Sequence, residues 1–260
     1  MPATADLRDK MRLDGCTTLV TGAGKGLGRS IAIGLAQAGS NVALLSRTAK
    51  DLDAVAEEIR RAGVQALTIV ADVTNSEQIN TAVQTIVKHF GRLDVLVHSA
   101  GGSHPKKPVL DLSDQDWAGL ISVNLDSTFY VCRAVGRVMT AQGRGSIINI
   151  ASVAGQRGRP GNAPYSAAKA GVINFSRALA MEWAAQGVRV NTLAPGRFLT
   201  PLTEVEMGDP QKHAAWIKKV PLGRLGNADE LREITVWLAS EASAFVTGST
   251  IVVDGGVTLL

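Results

Sequence analysis

The stretch TGAGKGLGRSIAIGLA, residues Thr21–Ala36, decides how the chain folds. It continues the apolar run CTTLVTG (Cys16–Gly22) and passes directly into a helical pattern of small and aliphatic residues. Glycines at 22, 24, 26 and 28 allow a tight turn and a close approach to a diphosphate. The N–H groups that open the following helix would face that anion. A strand, a glycine loop and a helix in that order mark the first unit of a dinucleotide-binding sheet.

Outward from this unit, short apolar runs alternate with amphipathic helical patterns to the end of the chain. NVALLS (Asn41–Ser46), ALTIVA (Ala66–Ala71), LDVLVHSA (Leu93–Ala100), SIINIAS (Ser146–Ser152), VRVNTLA (Val188–Ala194) and STIVVD (Ser249–Asp254) read as buried strands. Their continuous apolar character predicts cover on both faces. Leu52–Ala62 and Ile79–Phe90 carry helical periodicity, and Thr74 before Glu77 and Ser113 before Asp116 have the spacing of capping boxes. Strict β–α alternation predicts a single α/β domain over 1–260, doubly wound and Rossmann-like. Its sheet is mostly parallel and seven-stranded, with helices on both faces. No linker or repeat divides it, and Arg197–Leu222, between the last two strands, reads as a substrate lid.

Bulk properties narrow the function. The 260 residues are 45% hydrophobic and 19% charged, the profile of a globular protein. The net charge of +4 is scattered, without basic runs, and aromatics are 4%, too few for base stacking, so nucleic acid is excluded as a partner. Two cysteines, without CxxC or zinc spacing, exclude a disulfide framework and a metal site of that kind. The polar start MPATADLRDKMRLDG and the lack of an apolar run of about 18 residues predict no membrane association and a cytoplasmic location.

The loop glycines fit T-G-x-x-x-G-x-G rather than G-x-G-x-x-G, and in this spacing the sequence resembles the short-chain dehydrogenase/reductase family. The resemblance implies that Gly22, Gly24, Lys25, Gly26, Leu27 and Gly28 hold the cofactor diphosphate. Where a carboxylate at the end of strand two would bind the ribose 2′-hydroxyl of NAD, the chain reads Leu45-Ser46-Arg47. Ser46 can donate to a 2′-phosphate, and Arg47 offers it a planar cation, with Lys25 adding a second charge. The expected cofactor is therefore NADP rather than NAD. Asp72 and Val73 resemble the family's adenine-contacting pair. HSAG (His98–Gly101) stands where the family usually has N-N-A-G, and Ala100 and Gly101 suit passage of the cofactor ribose. His98 reads as a hydrogen-bonded structural histidine. Pro195 and Gly196 bend the chain after strand six, and Thr200 matches the position that binds the nicotinamide carboxamide.

The run PYSAAK (Pro164–Lys169) puts Tyr165 and Lys169 four apart, so a helix would project both over one spot. Ser152 precedes Tyr165 by the family's usual thirteen residues, and Asn124, in ISVNLDSTF, matches the asparagine of the helix after strand four. The resemblance implies that these four are catalytic. Ketone reduction needs an acid for the oxygen while hydride reaches the carbon, and Tyr165 is that acid. Lowering a phenol by about 3 pKa units takes about 4 kcal/mol, and an ammonium about 4 Å away at an effective dielectric near 20 supplies about that, against the opposing effect of burial. Lys169 would supply that charge and bind the nicotinamide ribose, Ser152 would hold the substrate oxygen, and Asn124 would fix a water.

The branch resembled includes 3-oxoacyl-[acyl-carrier-protein] reductases, so the leading expectation is an NADP-dependent ketone reductase. A polyol or sugar-acid dehydrogenase, similar to gluconate 5-dehydrogenase, and a non-catalytic NADP sensor on the same fold stay open. His104, Lys106, Lys107, Gln156, Arg157 and Arg159 border the expected crevice and hint at an anionic substrate, against the plainer reading of solvated loop charge. Arg133, Arg137 and Arg144 are candidates for a carrier-protein docking patch. The resemblance also implies a homotetramer with the helices of Asn124 and Tyr165 at its contacts, and hydride transfer here calls for no metal.

Overall fold

The computed structural model describes residues 6–103, 106–200, 203 and 209–260. Its main sheet is built from β1 (Thr17–Thr21), β2 (Asn41–Ser46), β3 (Ala66–Val70), β4 (Val95–His98), β5 (Gly145–Ile150) and β6 (Val188–Pro195). A two-residue pair, β7 (Phe198–Leu199) and β8 (Gly226–Asn227), stands apart, and β9 (Thr250–Val253) returns to the main sheet. The strand order is 3-2-1-4-5-6-9 and every pairing in it is parallel. The order reverses between β1 and β4, and the crevice above the carboxyl ends of those strands is where such sheets bind ligands.

The helices are α1 (Leu7–Lys10), α2 (Gly26–Gln37), α3 (Ala49–Arg61), α4 (Ser76–Phe90), α5 (Asp114–Ile121), α6 (Ser127–Gln142), α7 (Ala163–Trp183), α8 (Pro210–Ile217) and α9 (Glu230–Ala239). Alternate strand residues sort the core into two layers, as the period of two requires. Val20, Val42, Leu44, Val95 and Ile148 pack under α2, α3 and α9, through Ile31, Leu52, Ile59, Leu231 and Leu238. Leu19, Leu45, Leu96 and Ile147 face α4, α6 and α7, through Ile79, Ile86, Val135 and Leu179. No helix among the described residues is long and apolar enough to cross a membrane.

Two expectations need adjustment. Strands inside the sheet are covered on both faces, but β3 and β9 are edges, and their residues are half-buried, with Val70 and Val252 exposed. The start of α4 is capped by Asn75, whose carboxamide oxygen accepts from the N–H groups of Glu77 and Gln78; the Thr74 hydroxyl instead donates to Asp72. At α5 the box of Ser113 and Asp116 forms as expected. Of the segment read as a lid, 201, 202 and 204–208 lie outside the described residues, as does His104.

Candidate active site

The β1–α2 turn can form only because of where its glycines fall. Gly22 has a φ of +67°, and a Cβ there would stand 2.9 Å from the Ala100 backbone at the end of β4. A Cβ on Gly28 would meet the Gly22 carbonyl oxygen at 2.3 Å, so the first turn of α2 closes directly onto the loop. The result is a backbone cradle with free N–H groups at a helix start, which fits a dinucleotide diphosphate.

From this cradle a cleft of about 480 Å³ runs across the switch point to α7. Its walls contain Gly22, Lys25, Gly26, Leu27, Gly28, Ala100, Gly101, Asn124, Ser152, Tyr165, Lys169, Pro195, Gly196 and Thr200, all singled out from sequence. Gly24, Ser46, Arg47, Asp72 and Val73 lie outside that lining. Gly24 abuts Ser46, a Cβ there falling 3.3 Å from its Oγ. Exposed Arg47 helps to hold the Asp72 carboxyl below its ordinary range, behind the hydrogen bonds from Thr74. Sequence reasoning missed Ser99, Gly102, Ser103, Ile150 and Ala151, which complete the walls. It also missed Asp51, whose carboxylate stands 3.0 Å from Lys25 Nζ; only folding brings α3 to the glycine loop.

Tyr165 and Lys169 share one face of α7, with the ammonium 5.7 Å from the phenol ring centroid. Ser152, just past the end of β5, accepts from the Ala154 N–H at 3.1 Å, and it lines the cleft beside Tyr165. Lys169 is buried and donates to the Ile150 carbonyl at 2.9 Å. Burial brings its pKa down to about 8. Burial also raises Tyr165 above its ordinary value, outweighing the opposing influences of the Ser152 hydroxyl and the positive field of Arg159. This corrects the sequence argument, in which the lysine lowers the phenol: both groups leave water, and desolvation disfavours the charged form of each. A phenol held in its protonated form suits proton donation.

Asn124 sits in a single π-helical turn, Ser122–Asp126, joining α5 to α6. Such turns re-aim side chains and recur at functional sites. Fully buried, Asn124 donates to the carbonyls of Gly102 at 2.9 Å and Leu120 at 3.0 Å, and its Oδ1 accepts from the Gly102 N–H. An atom at the Gly101 Cβ position would stand 2.8 Å from Asn124 Oδ1 and 3.4 Å from Lys169 Nζ, so both groups converge on that backbone.

His98 is structural, as expected. Its Nδ1 lies 2.8 Å from Thr21 Oγ1 and its Nε2 3.2 Å from Ser127 Oγ. Ser127 donates its own proton to the Val123 carbonyl, so Nε2 carries the ring proton, and Nδ1 accepts from Thr21. Thr21 in turn accepts the Ala100 N–H, and the chain ties the floor of the cleft to the π-helical turn. Burial, helped by the Lys169 charge, lowers His98 to about 3, so the ring is neutral at physiological pH. Of the basic residues flagged from sequence, Lys107 pairs with Asp116, Arg144 pairs with Asp94 and Arg133 donates to Ser76. Lys106, Arg157 and Arg159 instead border a second cavity.

A doubly wound sheet with a glycine cradle at its switch point and a Ser–Tyr–Lys group on the opposite wall defines a dinucleotide-dependent oxidoreductase. Residues 22–258 match the family model described as enoyl-(acyl carrier protein) reductase. The chain is 40% identical over 252 residues to gluconate 5-dehydrogenase of Gluconobacter oxydans, covering 96% of this chain and 98% of that one. It is 36% identical over 249 residues to 3-oxoacyl-[acyl-carrier-protein] reductase of Thermotoga maritima, covering 96% and 100%. Among solved structures, gluconate 5-dehydrogenase of Burkholderia cenocepacia, in complex with NADP and tartrate, matches with a TM-score of 0.93 at 38% identity, over 98% of this chain and 100% of that one. The chain belongs to the short-chain dehydrogenase/reductase family and is an oxidoreductase acting on CH–OH donors.

Proposed function

We propose that the protein catalyses NADP(H)-dependent interconversion of a ketone and a secondary alcohol, with Tyr165 as the acid in the reducing direction. The observation that carries this reading is the convergence of Ser152, Tyr165 and a buried Lys169 on the wall of the cleft that begins at the glycine cradle. Gly22 to Gly28 would hold the diphosphate, Ser46 and Arg47 with Lys25 the 2′-phosphate, Asp72 and Val73 the adenine, and Thr200 the carboxamide. Bound there, the nicotinamide would supply or accept the hydride.

The protein's own residues do the rest. Ser152 orients the substrate oxygen, and Tyr165, kept protonated by burial, gives it a proton as negative charge develops. Lys169, buried, stabilises the phenolate left behind, and Asn124 braces the Gly102 backbone next to Gly101, the backbone on which Lys169 converges. The NADP complex of the Burkholderia relative supports the cofactor reading. The T. maritima relative favours a 3-oxoacyl substrate and the gluconate 5-dehydrogenases a sugar acid; of the arginines on which a carrier protein would dock, Arg133 donates to Ser76, Arg144 pairs with Asp94, and Arg137 is exposed. Residues 197–222 are read as the cover over the substrate, and the chain as one subunit of a cytoplasmic homotetramer.

The test follows NADPH consumption at 340 nm with a panel of acyl thioesters, β-keto esters, diketones and keto-sugar acids. Wild type is expected to reduce at least one class, and Tyr165→Phe to lose at least 10³-fold in kcat. Silence of the wild type on every class, with NADPH bound, would leave the sensor reading in its place.

A further inference from the structure

Three parts of the site rest on the turn that follows β9. Asp254, Gly255 and Gly256 make this turn, with φ of +63° and +90° at the two glycines. A Cβ on Gly196 would fall 2.7 Å from the Asp254 Cα and Cβ, and the Gly196 N–H donates to the Val253 carbonyl at 2.8 Å. Gly196 and Thr200 both line the cofactor cleft, and Thr200 meets the glycine loop: a Cβ on Gly26 would stand 3.6 Å from the Thr200 Cβ.

The far end of the 197–222 segment packs on the same turn. A Cβ on Gly255 would meet Val220 at 2.7 Å and one on Gly256 would meet Pro221 at 2.9 Å, and the Leu222 N–H donates to the Gly255 carbonyl at 3.1 Å. Just past the turn, Val257 and Thr258 enter the wall of the second cavity, of about 530 Å³, where Val153, the residue after Ser152, also stands. Arg157, from the loop that follows Ser152, donates to the carbonyls of Val257, Thr258 and Leu260. Both ends of one segment and the loop of Ser152 therefore meet where β9 ends.

The Asp254 carboxylate fixes this junction. One of its oxygens accepts from the Gly256 N–H at 2.8 Å and the other from the Thr258 N–H at 2.7 Å. Partial burial opposes its charge, but these bonds outweigh burial and hold the carboxyl below its ordinary range. A carboxylate presents an acceptor on each side, whereas an amide in its place would turn a donor towards one of the two N–H groups. Asp254 itself lines neither the cofactor cleft nor the second cavity.

We propose that Asp254 is a positioning residue for hydride transfer: by fixing the 254–258 turn it sets the place of Gly196, and through Gly196 the place of the nicotinamide against Ser152 and Tyr165. The inference rests on the proposed NADP(H)-dependent ketone chemistry and adds to it a residue outside the cleft. Displacement of the reacting atoms by about 1 Å is enough to cost about 10²-fold in rate, so a small relaxation of the turn has a measurable effect.

The test compares the whole wild-type chain with Asp254→Asn, measuring Kd for NADPH and for adenosine 2′,5′-bisphosphate, which carries the adenine end of the cofactor and no nicotinamide. The variant should bind the bisphosphate as the wild type does, which also shows that it is folded, and bind NADPH about threefold or more weakly. On whichever ketone the panel above identifies, its kcat should fall about tenfold or more. Equal weakening of both ligands would make Asp254 a residue of general stability and overturn the inference, as would a variant that matches the wild type throughout. Were NADH the cofactor, NADH and 5′-AMP would give the same comparison. If the wild type binds NADPH and reduces no ketone, the difference between the two ligands still decides the role of Asp254, and the reductase reading alone falls. If ketones are reduced and that difference is absent, the role of Asp254 falls and the reductase reading stands.

Discussion

Replacing His98 with Leu keeps much of the side-chain volume but removes both ring nitrogens, leaving the hydroxyls of Thr21 and Ser127 without their partner on β4. Ser127 keeps the Val123 carbonyl, but the Thr21 hydroxyl loses the acceptor of its proton, which costs about 1–3 kcal/mol, so the unfolding midpoint of His98→Leu should fall by about 3 °C or more in a thermal melt. The pH dependence is more specific. In the folded protein the ring stays neutral down to about 3, while in the unfolded chain it titrates near 6.5. A depressed folded pKa means the unfolded state binds the extra proton, so stability present above pH 6.5 is lost as pH falls towards 3. The loss from this ring is about 4–5 kcal/mol. Wild type should show that acid slope and His98→Leu should lack its share of it; coincident slopes would mean the ring is not held neutral. Tyr165 and Lys169 were legible in the sequence because a helix fixes i and i+4 on one face. His98 was legible only as structural, since its partners come from positions 77 residues before and 29 after it.

At the scale of elements, the turn between β2 and α3 would carry cofactor choice under the proposed NADP reading. It places Arg47 beside Asp72, and it also swings Asp51, in the first turn of α3, onto Lys25. That ion pair is partly exposed and worth at most about 1 kcal/mol, which is enough to shift an affinity by up to about fivefold. Arg47→Asp should therefore raise KM for NADPH at least tenfold and move preference towards NADH. Asp51→Asn, by releasing Lys25, should lower KM for NADPH a few-fold and leave NADH unaltered. An equal effect on both cofactors would take Lys25 away from the 2′-phosphate. The glycine loop and the Ser113 cap could be read directly because their chemistry is local. The π-helical turn at Ser122–Asp126 could not, because its extra residue is held by contacts that Asn124 makes to Gly102 and Leu120. Thr74 likewise offered the spacing of a cap, and lost the position to Asn75 when Asp72 took its hydroxyl.

For the whole molecule, the order and parallel sense of the sheet follow from β–α alternation and right-handed crossovers, which is why the doubly wound fold could be anticipated from apolar runs alone. The cations around the second cavity could be anticipated only in half: Lys106, Arg157 and Arg159 border predicted strands, whereas Arg197, Lys218 and Lys219 arrive from the segment read as a lid. Trp117 on α5, Phe129 on α6 and Met181 on α7 leave large apolar side chains in water, and Phe129 stacks edge-on with Phe175 of the adjoining helix. Covering such exposed apolar side chains is what the proposed tetramer would do, so light scattering should return four times the 27.2 kDa chain mass, and Phe129→Glu should lower it. A mass of one chain for the wild type would reject the assembly. The chain of bonds through His98 has one more consequence at this scale. It runs in a single direction, from the Ala100 amide through Thr21, His98 and Ser127 to the Val123 carbonyl. It starts at a group that cannot spare its hydrogen and stops at one that has none to pass on. Between the sheet and the cleft it therefore behaves as an insulator, and a proton that replenishes Tyr165 in the proposed reaction would not come along it.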